Sequence, residues 1–279
     1  MNTICVCGAG TMGRGIAQVS AAVGFTTILY DVNEEGLATA KDKLHTELAT
    51  LVDKQKITAE KKQAILQQIR FTSHIRDCVA DVVIEAIVEN KEAKLALFHQ
   101  LTALNSAETI LATNTSSLSV TALAAEIAVP QRIAGLHFFN PAPLMKLVEV
   151  VRAEQTSEQV VASLVTLTKK LGKEPVVCRD APGFIVNRVA RPYYIESLRL
   201  AEENAADAST IDRLLESRGF KMGPFKLMDL IGNDINYAVS CSVYEQLGHP
   251  QRLKPSFLQK EKIEKGELGR KSGKGYYSY

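Results

Sequence analysis

The sequence predicts an α/β chain: a doubly wound Rossmann-type domain with a projecting helical pair, followed by a smaller all-helical domain. Three observations carry this. Short runs rich in Val and Ile alternate with longer amphipathic stretches up to about residue 180. The first of those runs leads straight into a glycine-rich loop, "GAGTMG". After "DAPGF" (180–184) the alternation stops and one helical pattern follows another. A chain of 279 residues has room for one large and one smaller domain. The expected boundaries are 1–180 and 181–279, with a helical hairpin inserted at about 34–70.

The expected strands are "TICVC" (3–7), "TTILY" (26–30), "DVVIEA" (81–86), "TILAT" (109–113), "RIAGLHF" (132–138), "LVEVV" (147–151) and "PVVC" (175–178). The first four are almost continuously apolar, as strands of a parallel sheet covered on both faces must be. The tract from Asn33 to Arg70 is helical in pattern but breaks at "DKQKIT", where Thr58 fits an N-cap, so two antiparallel helices are expected. Lys54, Lys56, Lys61 and Lys62 gather at their tip, either as a solvated helix end or as a docking patch for a polyphosphate. In the second domain Ser209 fits an N-cap with Asp212 three residues on, "MGPF" punctuates, and "DINYAVSCSVYEQL" is amphipathic. Apolar faces on so small a helical unit point to a homodimer formed through it.

Composition narrows the partners. Hydrophobic residues make up 46%, charged residues 23%, and the formal net charge is +2, so no bulk argument exists for nucleic acid or membrane. The five cysteines are odd in number and scattered, and Cys5 and Cys7 are not a CxxC pair; they read as reduced core residues, with no metal site. No basic leader and no apolar stretch of membrane length is present, so a soluble cytoplasmic protein is expected.

Gly8, Gly10 and Gly13 have GxGxxG spacing with a strand before them and a helix after, and Asp31 ends the second strand, 18 residues beyond Gly13. Gly8 permits a tight turn, Gly10 lets backbone N–H groups approach a pyrophosphate, and Gly13 allows close packing of helix on strand. Thr11 and Met12 lie at the helix N-terminus that would face the negative charge. Asp31 would accept from ribose hydroxyls and repel a 2′-phosphate, which favours NAD over NADP. Arg14 either reaches a phosphate or is a surface arginine.

Ligands of doubly wound folds sit beyond the carboxyl ends of the strands. That rule nominates Glu85, Glu89, Asn114, Ser116, Ser117, His137 and Asn140, with Lys94 near the start of the following helix. An alcohol gives up a hydride only if its hydroxyl proton leaves to a base, and histidine suits that exchange near neutrality. His137 is the expected base. Glu149, a carboxylate inside "LVEVV", is the expected partner of its ring, brought back by the "NPAP" turn.

"GAGTMG", "EAIVEN", "NTSSL", "GLHFFNP", "KLVEVV", "PGFIVNR", "MGPF" and "GRKSGKGYY" occur in this order along essentially the whole chain, and in this the chain resembles the short-chain 3-hydroxyacyl-CoA dehydrogenases. The resemblance implies an NAD-dependent enzyme of fatty acid metabolism and β-oxidation that interconverts 3-hydroxyacyl-CoA and 3-oxoacyl-CoA, most simply the 3-hydroxybutyryl/acetoacetyl pair. It implies His137 and Glu149 as the acid/base pair, and adds Ser116 and Asn187 as groups that orient the substrate. It implies cofactor contacts from Asp31, Glu89, Lys94, Asn114, Asn140 and Lys271, and a CoA role for Lys54 and Lys56. It also implies a dimer formed through the helical domain.

"NRVARPYY" and "NYAVSCSVYEQL" resemble the branch of the family that handles 3-hydroxyadipyl-CoA in phenylacetate breakdown. On that reading Arg191, one turn after Asn187, would pair with a distal carboxylate; otherwise it is a surface or interfacial arginine. Arg14 stands where the family usually has a small residue, and Lys226 where it has glutamate. Two rival functions are a dehydrogenase of free β-hydroxyacids, which leaves His137 and Glu149 unexplained, and a non-catalytic NAD-binding structural protein, which leaves an intact site unexplained.

Overall fold

A computed structural model describes all residues, 1–279. Its eight strands are β1 (Thr3–Cys7), β2 (Thr26–Tyr30), β3 (Ile69–Thr72), β4 (Val82–Glu85), β5 (Ile110–Thr113), β6 (Ile133–Phe138), β7 (Leu147–Arg152) and β8 (Glu174–Arg179). They form one sheet in the order β3-β2-β1-β4-β5-β6-β7-β8. Strands β1 to β6 are parallel; β7 runs antiparallel to β6, and β8 parallel to β7. Strand order reverses between β1 and β4, which opens the ligand crevice of a doubly wound sheet beyond the ends of those two strands.

The chain divides into two units, Met1–Asp180 and Ala181–Tyr279. In the first, α1 (Thr11–Ala22), α2 (Glu34–Asp53), α3 (Ala59–Gln67), α4 (Lys91–Leu104), α5 (Val120–Ala124) and α6 (Glu158–Lys170) accompany the sheet. Ile4 and Val6 join Leu44 and Leu48 of α2, Ile65 of α3 and Leu164 of α6 in one core. Cys5 and Cys7 alternate to the opposite face, in the row of Val83 and Leu111. There Cys78 joins them, the three Sγ atoms lying within 4.8 Å of one another. Hydrogen bonds to Cys5 and Cys78, followed by burial, push the Cys7 thiol well above its ordinary range. All five cysteines are free.

The expected helical tract needs one correction, at its end. The helical pair is rooted in the sheet domain by Leu37, Ala40, Leu44 and Leu48 of α2, which lie in the main core, while the outer face of α2 and the connection around Lys54 and Lys56 are exposed. Thr58 does cap α3, accepting from Lys61 N at 3.2 Å. The end of the tract, "IRFT", is strand β3 at the sheet edge. Four residues are too few for a period of two to stand out beside a long helical pattern.

The second unit holds α7 (Val186–Glu202), α8 (Ala208–Ser217), α9 (Pro224–Ile231), α10 (Asn233–Gln246) and α11 (Phe257–Glu264). The cap of α8 is Asp207, accepting from Thr210 N at 2.7 Å; Ser209 lies inside the helix. Asp212 does not complete a capping box on α8. It is fully buried and caps α9 instead, accepting from Phe225 N at 2.9 Å, Lys226 N at 3.0 Å and Tyr277 Oη at 2.7 Å. Asp229 takes the N–H groups of Tyr276 and Tyr277, both at 3.0 Å, which fastens the final segment to α9.

Candidate active site

The glycine loop follows β1 at the crevice. Gly8 has φ +108°, and a Cβ there would lie 2.4 Å from Ala86 O; one on Gly13 would lie 1.7 Å from Gly8 O. Both positions are closed to any side chain by the backbone itself. A Cβ on Gly10 would meet nothing within 4 Å. Gly10 is also the N-cap of α1, without a capping side chain and without an acid in the first turn, so the first N–H groups of α1 are open to an anion. Asp31 Oδ2 accepts from Ala9 N at 2.7 Å and its Oδ1 from Asn33 N at 3.0 Å, so the carboxylate stands against the loop. Gly8, Gly10, Asp31, Val32 and Val88 line a mostly apolar cleft of about 640 Å³. These residues fit a dinucleotide: open space where a pyrophosphate would lie, a carboxylate for ribose hydroxyls, and apolar walls for an adenine.

Beside the cleft, Glu85 closes β4 fully buried. Its Oε1 accepts from Lys94 Nζ at 2.6 Å and Ile87 N at 2.8 Å, and its Oε2 from Thr113 Oγ1 at 2.6 Å. Lys94, 1% exposed, also meets Glu89 Oε2 at 3.1 Å. Glu89 Oε1 in turn accepts from Thr115 Oγ1 at 2.5 Å, Ser116 N at 3.0 Å and Ser117 N at 3.1 Å. Burial alone would raise the Glu89 carboxyl, but the Lys94 ammonium and the hydroxyls of Thr115 and Ser117 outweigh it and hold it below the usual range. The segment that carries Ser116 is thus tied to β4 through two acids and a lysine. Asn114 joins the next strand, its Oδ1 accepting from Phe138 N at 2.8 Å.

His137 and Glu149 are direct partners in the β6–β7 ladder. His137 Nδ1 and Glu149 Oε2 are 2.8 Å apart, with His137 5% exposed and Glu149 completely buried. The ring also packs on Phe139, centroids 4.5 Å apart. Asn140 follows on the exposed connection to β7. A groove of about 420 Å³ runs from Asn140 past Gln18 to Thr50 and Leu51 on α2, bordered by Arg14 and Glu47. Arg14 Nη2 donates to Glu47 Oε1 at 2.9 Å, so its guanidinium is held against α2. Gln18 Oε1 is buried without a hydrogen-bond donor.

Asn187, Arg191 and Lys271 belong to the second unit. Lys271 Nζ pairs with Asp234 Oδ2 at 2.6 Å. Of the readings offered for Arg191, that of a surface arginine is wrong. Arg191 is 3% exposed, donates from Nε to Asn187 O at 3.0 Å and from Nη1 to Asn236 O at 2.9 Å and Ser240 Oγ at 2.8 Å, and lies over the Tyr194 ring. Burial pushes its pKa down to about 10. The guanidinium joins α7 to α10. Thr113, Thr115 and Lys173 were not singled out from the sequence. A threonine or lysine in a mixed segment carries no signal of burial, whereas Glu149 stood out among valines.

A glycine turn open to an anion, an acid at the end of β2 and a buried imidazole–carboxylate pair two strands beyond the crevice define a nicotinamide-dependent oxidoreductase of the Rossmann class. Residues 3–181 match the NAD-binding domain of 3-hydroxyacyl-CoA dehydrogenase, and residues 183–279 match its C-terminal domain. The chain belongs to the 3-hydroxyacyl-CoA dehydrogenase family. It is 49% identical to the 3-hydroxyadipyl-CoA dehydrogenase of Escherichia coli K12 over all of this chain, but spans only 59% of that relative's length. It is 41% identical to a probable 3-hydroxybutyryl-CoA dehydrogenase of Deinococcus radiodurans, over 98% of this chain and 99% of the relative. The crystal structure of (S)-3-hydroxybutyryl-CoA dehydrogenase from Ralstonia eutropha superposes with a TM-score of 0.95 at 36% identity, covering 100% of this chain and 99% of that one.

Proposed function

We propose that this chain interconverts 3-hydroxyacyl-CoA and 3-oxoacyl-CoA with NAD, with 3-hydroxybutyryl-CoA and acetoacetyl-CoA as its substrate pair. The observation that carries the reading is the buried His137–Glu149 contact. Nδ1 is engaged by Glu149, so proton exchange with the 3-hydroxyl falls to Nε2 of His137. The imidazolium that forms is balanced by the Glu149 carboxylate, which also fixes the ring's tautomer. A bound nicotinamide supplies the hydride acceptor for C3. General base catalysis of this kind contributes on the order of 10² to 10⁴ in rate, and the rest must come from positioning.

Ser116 is proposed to orient the substrate's oxygen, and Asn187 is proposed as a further substrate-orienting residue. Glu89 is a proposed cofactor contact that also holds the Ser116 segment, with Lys94 as the cation that supports it. Asn114 and Asn140 are the proposed contacts at the nicotinamide end, with Lys271 a further one. The groove from Asn140 toward α2 fits the amide-bearing arm of a CoA thioester. Gln18 Oε1 would accept one of its N–H groups, and Lys54 and Lys56 would meet its phosphates.

A 3-hydroxyadipyl thioester is the competing substrate, supported by the name of the E. coli relative. Arg191 is engaged elsewhere and is not proposed as its carboxylate ligand. Exposed Val189, Leu214, Ile235 and Phe257 support a dimer through the helical unit, and five free cysteines fit a reducing cytoplasm. NADH oxidation, followed by absorbance with acetoacetyl-CoA, 3-oxoadipyl-CoA and longer thioesters, tests the reading. Activity highest with acetoacetyl-CoA and abolished in His137→Ala is expected; no turnover of any of them defeats it.

A further inference from the structure

We propose that Lys173 is a positioning residue of the active site, clamping the connection between β6 and β7 so that Asn140 is held at the cofactor. That connection begins with Phe139 and Asn140 and closes into a single turn, in which Leu144 N and Met145 N both donate to Pro141 O at 3.0 Å. As at the end of a helix, such a turn leaves carbonyls pointing outward without partners of their own. Lys173, between α6 and β8, supplies them. Its ammonium donates to Ala142 O at 2.6 Å, Met145 O at 2.8 Å and Pro143 O at 3.3 Å.

The site is built rather than incidental. Lys173 is only 7% exposed, and burial lowers its pKa. A lysine is rarely taken this far out of water without a carboxylate. Here three N–H donors meet three carbonyls, which uses its full donor capacity. The turn also packs against the cofactor helix: a Cβ on Gly15 would lie 3.2 Å from both Ala142 Cβ and Pro143 Cδ. Glu174 N donates to Lys146 O at 2.9 Å, which carries the grip on into β8. The turn is therefore held by both α1 and Lys173. Asn140 leaves its near end, and β7 with Glu149 leaves its far end.

This inference rests on the proposed function, in which Asn140 contacts the cofactor, and the test separates the two. NADH affinity of the full chain is measured by fluorescence titration for wild type, Lys173→Met, Asn140→Ala and the double variant. A loss of at least tenfold is expected for Lys173→Met alone and less than twofold when it is added to Asn140→Ala, because both act through one side chain. In Lys173→Ala, n-propylammonium replaces the missing part of the side chain and is expected to restore affinity at least fivefold, saturably, where tetramethylammonium does not. If Lys173→Met does not fold, Lys173→Arg, which keeps the charge but misfits three converging carbonyls, carries the same comparison. Affinity within twofold of wild type in the single variant, equal losses in both backgrounds, or no rescue by propylammonium overturns the clamp. Failure of the wild type itself to bind NADH overturns the functional reading instead.

Discussion

His137 and Glu149 stand directly opposite each other on antiparallel strands, Nδ1 to Oε2 at 2.8 Å. Side chains in this relation have Cβ atoms about 4.5–5.5 Å apart, so the ladder alone makes imidazole and carboxylate meet. The connection between the strands has only to reverse the chain. A one-residue slip would turn Glu149 to the other face, and the site depends on register more than on loop conformation.

Glu149→Gln is therefore expected to fold like the wild type and to fail in chemistry. The amide fills the same volume but carries no charge for an imidazolium and can present an N–H to Nδ1, which favours the wrong tautomer. The kcat should fall by about 10² to 10⁴, with the KM for acetoacetyl-CoA nearly unchanged. Steady-state kinetics together with thermal melting separate this from simple instability; a kcat within threefold of wild type would remove Glu149 from the mechanism.

The three loop glycines separate by what lies beyond each Cα. Gly10→Ala projects into open space and should leave the melting temperature within about 2 °C of wild type, since no contact is strained. It should nevertheless weaken NAD binding, because the methyl occupies the room proposed for the pyrophosphate. Gly13→Ala drives a methyl into Gly8 O and should cost about 1–3 kcal/mol or more as helix and strand are forced apart. Calorimetry of both variants checks the contrast, and equal destabilisation would show that Gly10 is structural.

Much of this was legible in the sequence, for physical reasons that also mark where legibility ends. Strands buried on both faces announce themselves as apolar runs, and β1 and β2 agree with the structure residue for residue. Glu149 was visible because a carboxylate among valines needs a partner. Asp212 read as part of the cap of its own helix, and Arg191 as a substrate, surface or interfacial group, because helical spacing places a side chain on a face without saying which other helix covers it. Both are buried, with Asp212 bound to a helix N-terminus and Arg191 to a helix backbone. The Lys173 clamp was invisible, since its partners are backbone carbonyls that no residue type encodes.

Lys94 and Glu85 form a buried ion pair, 1% and 0% exposed along their side chains. Removing one partner strands the other, and Lys94→Met should destabilise the first unit by about 3–5 kcal/mol. Replacing both, as Glu85→Gln with Lys94→Met, should recover part of that loss while leaving Glu89 without its cation. Urea unfolding of the two variants measures the recovery; a double variant no more stable than Lys94→Met would mean that the pair does not act as a unit.

Glu89 makes acid sensitivity specific to the Ser116 segment. Its folded carboxyl lies below the ordinary value, because Lys94, Thr115 and Ser117 favour the charged form by more than burial opposes it. A depressed carboxyl contributes its stability in full above the unfolded value of about 4.3 and loses it as pH falls through the lower folded value. The difference in melting temperature between wild type and Glu89→Gln should therefore be constant from about pH 7 to about pH 5 and shrink steadily at lower pH. Protonation also removes the acceptor charge that Ser116 N and Ser117 N share. NADH affinity of the wild type should weaken over the same acid range, while that of Glu89→Gln, already lowered, should change less. Melting and NADH titration across the range decide it. A gap that widens in acid would mean that Glu89 is protonated in the folded state and that the segment is held by its hydroxyl contacts alone.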